Sequence, residues 1–193
     1  MIKNFTPRPR KKIRIISGLW HGRKISIPSI PGLRPTTDRI RETLFNWLTP
    51  VIYNARCLDC FSGSGVLGLE AISRQASHAT LLEYNSIVAA QLKKNVALIN
   101  TDKVIVQNID TLQWLLYPSH PYKIVFLDPP FRKNLLDKTI NLLENNGWLS
   151  DNSYIYVETE VDNTTVEFPI NWSVHRKKVA GQVSYSLYKR FIV

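Results

Sequence analysis

The sequence has few of the features that mark membrane, secreted or metal-binding proteins. No apolar run approaches the roughly 18 to 20 residues that cross a bilayer, and the basic N-terminus lacks the apolar segment of a secretory signal. The only cysteines, Cys57 and Cys60, have no second ligand pair to complete a zinc site. Residues three apart on a strand point to opposite faces, which excludes a disulfide between them. We therefore predict a cytoplasmic protein with two buried thiols and no bound metal.

Acidic residues are almost missing from the first 41 positions, where eleven Lys and Arg accompany the single acid Asp38. The rest of the chain carries fourteen bases and fourteen acids, so the net charge of +10 lies in the first fifth. This asymmetry predicts a basic RNA-binding extension over residues 1–50 and a catalytic domain over 51–193. The predicted phosphate-binding side chains of the extension are Lys3, Arg8, Arg10, Lys11, Lys12, Arg14, Arg23, Lys24, Arg34, Arg39 and Arg41.

Apolar segments with strand and helix periodicity alternate from residue 56 onward, which predicts an α/β fold around a mostly parallel sheet. We expect strands near 56–59, 79–83, 103–107, 123–128 and 153–158, and helices near 65–74, 86–99, 111–117 and 134–145. An antiparallel hairpin over 172–178 and 183–191 is expected to close the sheet. In the extension we expect a hairpin of strands 13–16 and 24–27, followed by a helix that Thr37 caps.

A glycine-rich turn follows the first strand of this alternating region. Gly63, Gly65 and Gly68 have the spacing G-x-G-x-x-G, and Glu83 lies 20 residues after Gly63, as in a dinucleotide-binding fingerprint. Asp59 stands just before the turn, where its carboxylate would repel a pyrophosphate but attract the ammonium and sulfonium groups of S-adenosyl-L-methionine. We therefore predict that the turn binds S-adenosyl-L-methionine, with Glu83 accepting from its ribose hydroxyls; a nicotinamide cofactor is the alternative.

A second motif, Asp-Pro-Pro-Phe at positions 128–131, follows the apolar run 124–127. Asp128 supplies a carboxylate acceptor, the prolines Pro129 and Pro130 hold backbone carbonyls in place, and Phe131 supplies a ring face. The exocyclic amine of a nucleobase fits these groups: it donates to Asp128 and to the Pro129 carbonyl while its ring stacks on Phe131. We predict that Asp128 orients this amine for methylation and assign proton acceptance to it as a second role. The neighbouring Arg132 and Lys133 are predicted to hold flanking phosphates.

Four sequence blocks resemble the RsmD family, whose members methylate N2 of a guanine, conventionally numbered 966, in the 16S rRNA of the small ribosomal subunit. These blocks are 34–48, 59–65, 125–131 and 181–182, and the resemblance extends from about residue 14 to 190. It implies a class I S-adenosylmethionine-dependent (Rossmann-like) methyltransferase. Nothing in the sequence demands a dimer, so we expect a monomer. The resemblance also implies that the residues lining the cofactor are Asp59, Phe61, Gly63, Gly65, Glu83 and, near the adenine, Asp110, and that the target base lies against Asp128, Pro129, Pro130 and Phe131.

Other functions share some of these features. The Asp-Pro-Pro-Phe motif also suits methylation of adenine N6 in DNA or RNA, or of a protein glutamine, and only the family-specific block 34–48 favours guanine. A non-catalytic RNA-binding assembly factor is a further alternative, against which the complete set of predicted cofactor residues argues.

Overall fold

The computed structural model of the chain describes residues 11–31, 33, 35–117, 120–131, 133–162 and 166–192. Five of the predicted phosphate-binding residues lie outside these ranges: Lys3, Arg8, Arg10, Arg34 and Arg132. No helix within the described ranges has the length and apolar character needed to cross a membrane.

The chain begins with a two-stranded antiparallel ladder between β1 (Lys11–Arg14) and β2 (Lys24–Ile27). Strand β1 lies two residues earlier than predicted, because Ile16 and Ser17 turn their backbone N–H groups away from the ladder. Both N–H groups donate to the buried carboxylate of Glu70, at 2.8 and 3.0 Å. The hairpin is thereby attached directly to the rest of the protein.

Helix α1 (Asp38–Leu48) follows, and Thr37 caps it by accepting a hydrogen bond from the Ile40 backbone N–H, as predicted. Its apolar face is buried in one large cluster that also includes Ile15 of the extension and Phe126 of the central sheet. The Phe45 and Phe126 rings lie 6.0 Å apart. The described part of segment 1–50 therefore shares its hydrophobic core with segment 51–193.

Seven strands form the central sheet: β3 (Arg56–Asp59), β4 (His78–Leu82), β5 (Val104–Gln107), β6 (Tyr122–Leu127), β7 (Leu149–Glu160), β8 (Trp172–Ala180) and β9 (Val183–Arg190). Their order is β5-β4-β3-β6-β7-β9-β8. The five strands β3 to β7 pair in parallel, and β9 is antiparallel to both of its neighbours, β7 and β8. This topology confirms the predicted mostly parallel sheet with a terminal antiparallel hairpin.

The remaining helices cover both faces of the sheet: α2 (Val66–Ser73), α3 (Ser86–Ile99), α4 (Thr111–Leu115) and α5 (Leu135–Asn145). Because side chains alternate along a strand, neighbouring residues belong to two separate clusters. Cys57 is buried in the cluster with α1, α2 and α3, whereas Cys60 is buried in the cluster with α4 and α5. Both thiols are free, as predicted.

The prediction that Arg41 belongs to an RNA-binding surface is wrong, because its side chain is completely buried. Its guanidinium pairs with Glu70 at 3.4 Å and with Asp38 at 2.6 Å, and it donates to the Arg14 carbonyl at 3.1 Å. Arg41 occupies the inward face of α1, where it neutralises the buried Glu70. It therefore joins β1, α1 and α2 and is not available to a phosphate.

Candidate active site

The carboxyl ends of the parallel strands place the predicted acids at one edge of the sheet. Asp59 ends β3, Glu83 follows β4, Asp110 follows β5 and Asp128 follows β6. Strand β3 lies between β4 and β6 and pairs in parallel with both, so the carboxyl ends of the three strands lie at this edge. This edge is also where ligands bind in open α/β sheets.

The glycine-rich turn is held to the end of β4 by Glu83. One carboxylate oxygen of Glu83 accepts from the Gly63 N–H at 2.9 Å, and the other accepts from the Asn85 N–H at 2.7 Å. Gly65 has a φ of +72°, and a Cβ atom there would lie 2.5 Å from a methyl group of Leu92. A side chain at this position is therefore excluded both by backbone conformation and by the close packing of α3. Burial raises the pKa of Glu83, and the Asn85 and Gly63 N–H groups oppose that shift.

Asp59 is a buried carboxyl group with an unsatisfied oxygen. Its side chain is 3% exposed, and its Oδ2 has no hydrogen-bond partner within the described parts of the chain. Burial raises the pKa of Asp59 to about 7, the Glu83 charge adds to this, and backbone N–H groups of Gly68 and Phe61 partly offset it. A buried acceptor of this kind fits the cationic groups of S-adenosylmethionine.

Asp110 and Phe61 complete the predicted cofactor residues. The Asp110 carboxylate caps α4 by accepting from the Gln113 N–H at 3.0 Å. The backbone before it is tied to the Glu83 segment, because the Ile109 N–H donates to the Glu83 carbonyl at 3.1 Å. Phe61 is partly buried against the cluster that contains α4 and α5. The cap accounts for the acid at position 110 without a ligand, so the role of Asp110 near an adenine stays a prediction.

A cleft of about 420 Å³ lies beside the Asp-Pro-Pro-Phe motif. Its lining includes Pro129, Pro130 and Phe131, and also Glu158 and Thr159 at the end of β7. Asp128 is not among the lining residues and lies behind the prolines that follow it in the chain. The Phe131 ring is 42% exposed, so a flat ligand has access to it. The cleft therefore has the proline backbone and the exposed ring predicted for a base-binding pocket.

Glu158 is a site residue that the sequence analysis missed. It is 5% exposed, and its Oε1 accepts a hydrogen bond from the Tyr156 hydroxyl at 2.8 Å. The Thr36 hydroxyl, from the loop before α1, lies close enough to both Glu158 and Asp128 to lower the pKa of each. The rule that selected the acids at other strand ends also applies to Glu158, because the predicted fifth strand ended there.

Asp128 and Glu158 form a coupled pair of carboxyl groups. Burial raises the pKa of Asp128 well above its usual range, the charges of Glu158 and Asp59 raise it further, and the Thr36 hydrogen bond opposes them. Burial likewise raises the pKa of Glu158, against the hydrogen bonds from Tyr156 and Thr36. Since two adjacent carboxylates disfavour joint ionisation, the pair retains a proton to a higher pH than isolated carboxyl groups.

The predicted phosphate-binding residues that the structure describes, Arg41 excepted, are all exposed: Lys11, Lys12, Arg14, Arg23, Lys24, Arg39 and Lys133. Two of them have partners within the protein. Arg14 pairs with Asp38 at 2.9 Å, and Arg23 donates to the Leu98 carbonyl at 2.5 Å. Their contact with RNA remains a prediction.

The geometry can be compared with known proteins. Residues 13–189 match the model of a family described as Conserved hypothetical protein 95. Over 179 residues the chain is 59% identical to the Ribosomal RNA small subunit methyltransferase D of Escherichia coli strain K12, and the match covers 93% of this chain and 90% of that protein.

Solved structures show the same relationship. The Escherichia coli protein yhhF superposes with a TM-score of 0.89 and 55% identity, over 94% of this chain and 99% of that one. SMU.776, solved in complex with SAH, shares the fold alone, with a TM-score of 0.67 and 17% identity over 87% of this chain and 54% of that one. With a family model that spans nearly the whole sequence and a relative this similar, the chain belongs to the Conserved hypothetical protein 95 family, that of the RsmD methyltransferases.

Proposed function

We propose that this chain transfers the methyl group of S-adenosylmethionine to the exocyclic N2 of a guanine in the 16S rRNA of the small ribosomal subunit. The Escherichia coli relative is named for small-subunit ribosomal RNA. The observation that carries the choice of guanine is the pairing of Asp128 with Glu158 beside the cleft. The protein is proposed to act as a monomer in the cytoplasm, where ribosomal subunits are assembled.

The Watson–Crick edge of guanine explains why two carboxyl groups suit it. Guanine presents the N1–H donor directly beside its N2 amine, so Asp128 and the Pro129 carbonyl accept from the amine while Glu158 accepts from N1–H. The proton that the pair retains lies on Asp128, whose pKa the Glu158 charge raises, so Glu158 is the ionised member. The amine of adenine lies between two ring nitrogens that are acceptors, and the one beside Glu158 would face a carboxylate without a hydrogen to share. The paired acids therefore favour guanine over adenine, a distinction that the Asp-Pro-Pro-Phe motif alone does not make.

When bound, S-adenosylmethionine supplies an electrophilic methyl group, and Asp59, Gly63, Gly65 and Glu83 are the residues that would hold it. Asp128 and the Pro129 carbonyl hold the two N–H groups of the amine out of the plane of the base, so that its lone pair is withdrawn from conjugation and faces the electrophile, and Phe131 supports the ring by stacking. Such positioning contributes on the order of 7 to 11 kcal/mol in well-oriented reactions. As the C–N bond forms and the S–C bond breaks, the amine loses a proton, and the partly ionised Asp128–Glu158 pair accepts it and releases it to solvent.

Two variants test the assigned roles. Asp128→Ala should retain cofactor binding but lose most turnover, at least about a hundredfold, because the amine is no longer oriented.

Glu158→Gln keeps the shape of the side chain but loses its charge, and it should lower kcat/KM for guanine about tenfold to a hundredfold. Calorimetric titration with S-adenosylmethionine serves as the control for folding in both cases.

A base analogue makes the test specific to N1–H. 2-Aminopurine keeps the amine at C2 but has an acceptor at N1, so the wild-type protein should methylate it poorly at the target position of a reconstituted subunit. The amide that Glu158→Gln introduces can donate to that acceptor, so this variant should show a narrower preference for guanine over 2-aminopurine. An identical preference in both proteins would remove Glu158 from base selection.

A further inference from the structure

We propose that the C-terminal hairpin, β8 with β9, is a second RNA-binding surface that contacts phosphates of the substrate through Arg176, Lys177 and Lys178. The proposal rests on the proposed function, since it assumes a ribosomal RNA substrate, and it concerns a part of the chain distant in sequence from the basic extension.

The first observation is the distribution of charge in the C-terminal part of the sequence. Residues 168–193 contain five Lys and Arg and no Asp or Glu, whereas residues 42–167 contain nine bases and fourteen acids. The even balance of segment 42–193 thus conceals a basic C-terminal segment that follows an acidic central one. Segregation of this kind produces a local positive field that attracts a polyanion.

The second observation is the exposure of β8, which forms an open edge of the central sheet. The seven residues 173–179 are all exposed, although they belong to a strand, whose register with β9 shifts once between Val174 and Arg176. Arg176, Lys177 and Lys178 have no ion pair with any residue in the described ranges. Because they are consecutive, their side chains alternate between the two faces of the strand and make both faces of this edge positive.

The third observation is the position of these residues relative to the cleft. In the strand register Lys178 pairs with Tyr185, and Tyr185 pairs with Glu158. Lys178 is therefore two strand spacings, about 10 Å across the sheet, from the cleft residue Glu158. Both residues lie near the end of the sheet where the parallel strands have their carboxyl ends. RNA whose target base enters the cleft has adjacent phosphates within reach of this strand.

Two of the three basic side chains of β8 lie on the face of the sheet on which α1 packs, which agrees with one continuous binding surface. The Tyr185 ring stacks on Trp47 of α1 at 5.6 Å, so Lys178, which pairs with Tyr185, lies on the α1 side of the sheet. Arg176, two residues earlier, pairs with Leu187 on that side as well. Burial lowers the pKa of His175, and the nearby charges of Arg176 and Lys189 lower it further. The α1 side thus carries basic groups both from the extension and from the hairpin.

Lysines on an open edge strand also prevent pairing with another chain, so the experiment must separate protection from binding. The test variant is Arg176→Gln with Lys177→Gln and Lys178→Gln, which removes three charges and keeps side-chain length. The matched control is Lys93→Gln with Lys94→Gln and Lys103→Gln, three exposed lysines of α3 and of the segment just before β5, at the opposite end of the sheet. Binding to unmodified small ribosomal subunits is measured at several KCl concentrations.

If the three side chains contact phosphates, the test variant should bind subunits roughly tenfold or more weakly, and its salt dependence should become shallower by about 2 to 3 in log–log slope. The double variant Lys177→Gln with Lys178→Gln should show about two thirds of that change in slope. It keeps the proposal testable if the triple variant folds poorly. Binding of S-adenosylmethionine reports an intact fold, and the control triple variant should match the wild type. Wild-type affinity and slope in the test variant, with or without aggregation, would overturn the proposal.

Methylation of the same subunits, measured beside their binding, distinguishes failure of this surface from failure of the proposed function. If the wild-type protein methylates no guanine N2, the proposed function fails, whatever the salt slopes are. If it does so and the test variant retains the wild-type slope, only the second RNA-binding surface fails.

Discussion

The Asp59 carboxyl group shows how one buried residue prepares a site for a cation. Removal from water raises its pKa to about 7, and its Oδ2 has no partner within the described part of the chain. The protonated form is thereby favoured in the free protein below about pH 7, whereas a nearby sulfonium or ammonium group favours the ionised form.

This arrangement makes both stability and cofactor affinity depend on pH. Because the folded-state pKa exceeds the usual value of 3.8, the folded protein holds a proton that the unfolded chain releases, so Asp59 destabilises the free protein as pH rises from about 4 to about 7. Affinity for S-adenosylmethionine should change in the opposite direction, falling roughly tenfold for each pH unit below about 7. Calorimetric titrations from about pH 5.5 to about pH 8.5 measure this.

Asp59→Asn is the control for that measurement, since an amide has the same shape and does not titrate in this range. Its affinity should vary less with pH than that of the wild type. Identical pH profiles for the two proteins would show that Asp59 is not the group that responds to the cofactor.

Elements of the extension are fixed to the domain by the buried pair of Arg41 and Glu70. Glu70 of α2 accepts from the backbone after β1, and Arg41 of α1 neutralises it. Arg41→Ala should therefore destabilise the protein by about 3 kcal/mol, because it empties a fully buried position and leaves the buried Glu70 carboxylate with Arg74, at 3.0 Å, as its remaining counter-charge. The free energy of unfolding in urea measures the change.

The neighbouring variant Arg39→Ala gives the comparison, since Arg39 is exposed on the same helix and should change stability by no more than about 0.5 kcal/mol. Equal losses in the two variants would mean that the buried pair does not determine the effect.

The elements themselves were largely predictable, because hydrophobic periodicity and turn residues report local structure. Helix α3 matched its predicted range, and the parallel order followed from the alternation of strands and helices. Ends that depend on tertiary contacts were less predictable. β1 was displaced because the N–H groups that follow it donate to Glu70, and β7 extends to Glu160 because β9 pairs with it from Tyr154 to Glu160.

The site was predictable where acids follow strands, and less so where distant segments meet. Spacing identified Asp59, Glu83 and Asp128, which the sheet brings to one edge. Thr36 lies beside the carboxyl groups of Asp128 and Glu158, which brings the extension to the end of β7. No local sequence pattern predicts this proximity. The prediction that Arg41 binds RNA was wrong for a related reason, since charge counts do not reveal that a side chain is buried.

Across the whole molecule, charge is separated by position. The basic segments lie in the extension and the C-terminal hairpin, whereas the acids of the central segment include those around the cofactor turn and the cleft. The described parts of both basic segments belong to elements that pack on or extend the same sheet, so the charges of these described residues have defined positions relative to the cleft. This arrangement suits a polyanion that is held at its backbone while one base enters an acidic pocket.

The most direct measurement of the central claim is the identity of the methylated nucleoside. The protein is incubated with labelled S-adenosylmethionine and unmodified small ribosomal subunits, and the RNA is digested and separated into nucleosides. The proposed function predicts label in N2-methylguanosine, and almost none when Asp128→Ala replaces the wild type. Label in N6-methyladenosine, or no label from a protein that binds the cofactor, would contradict it.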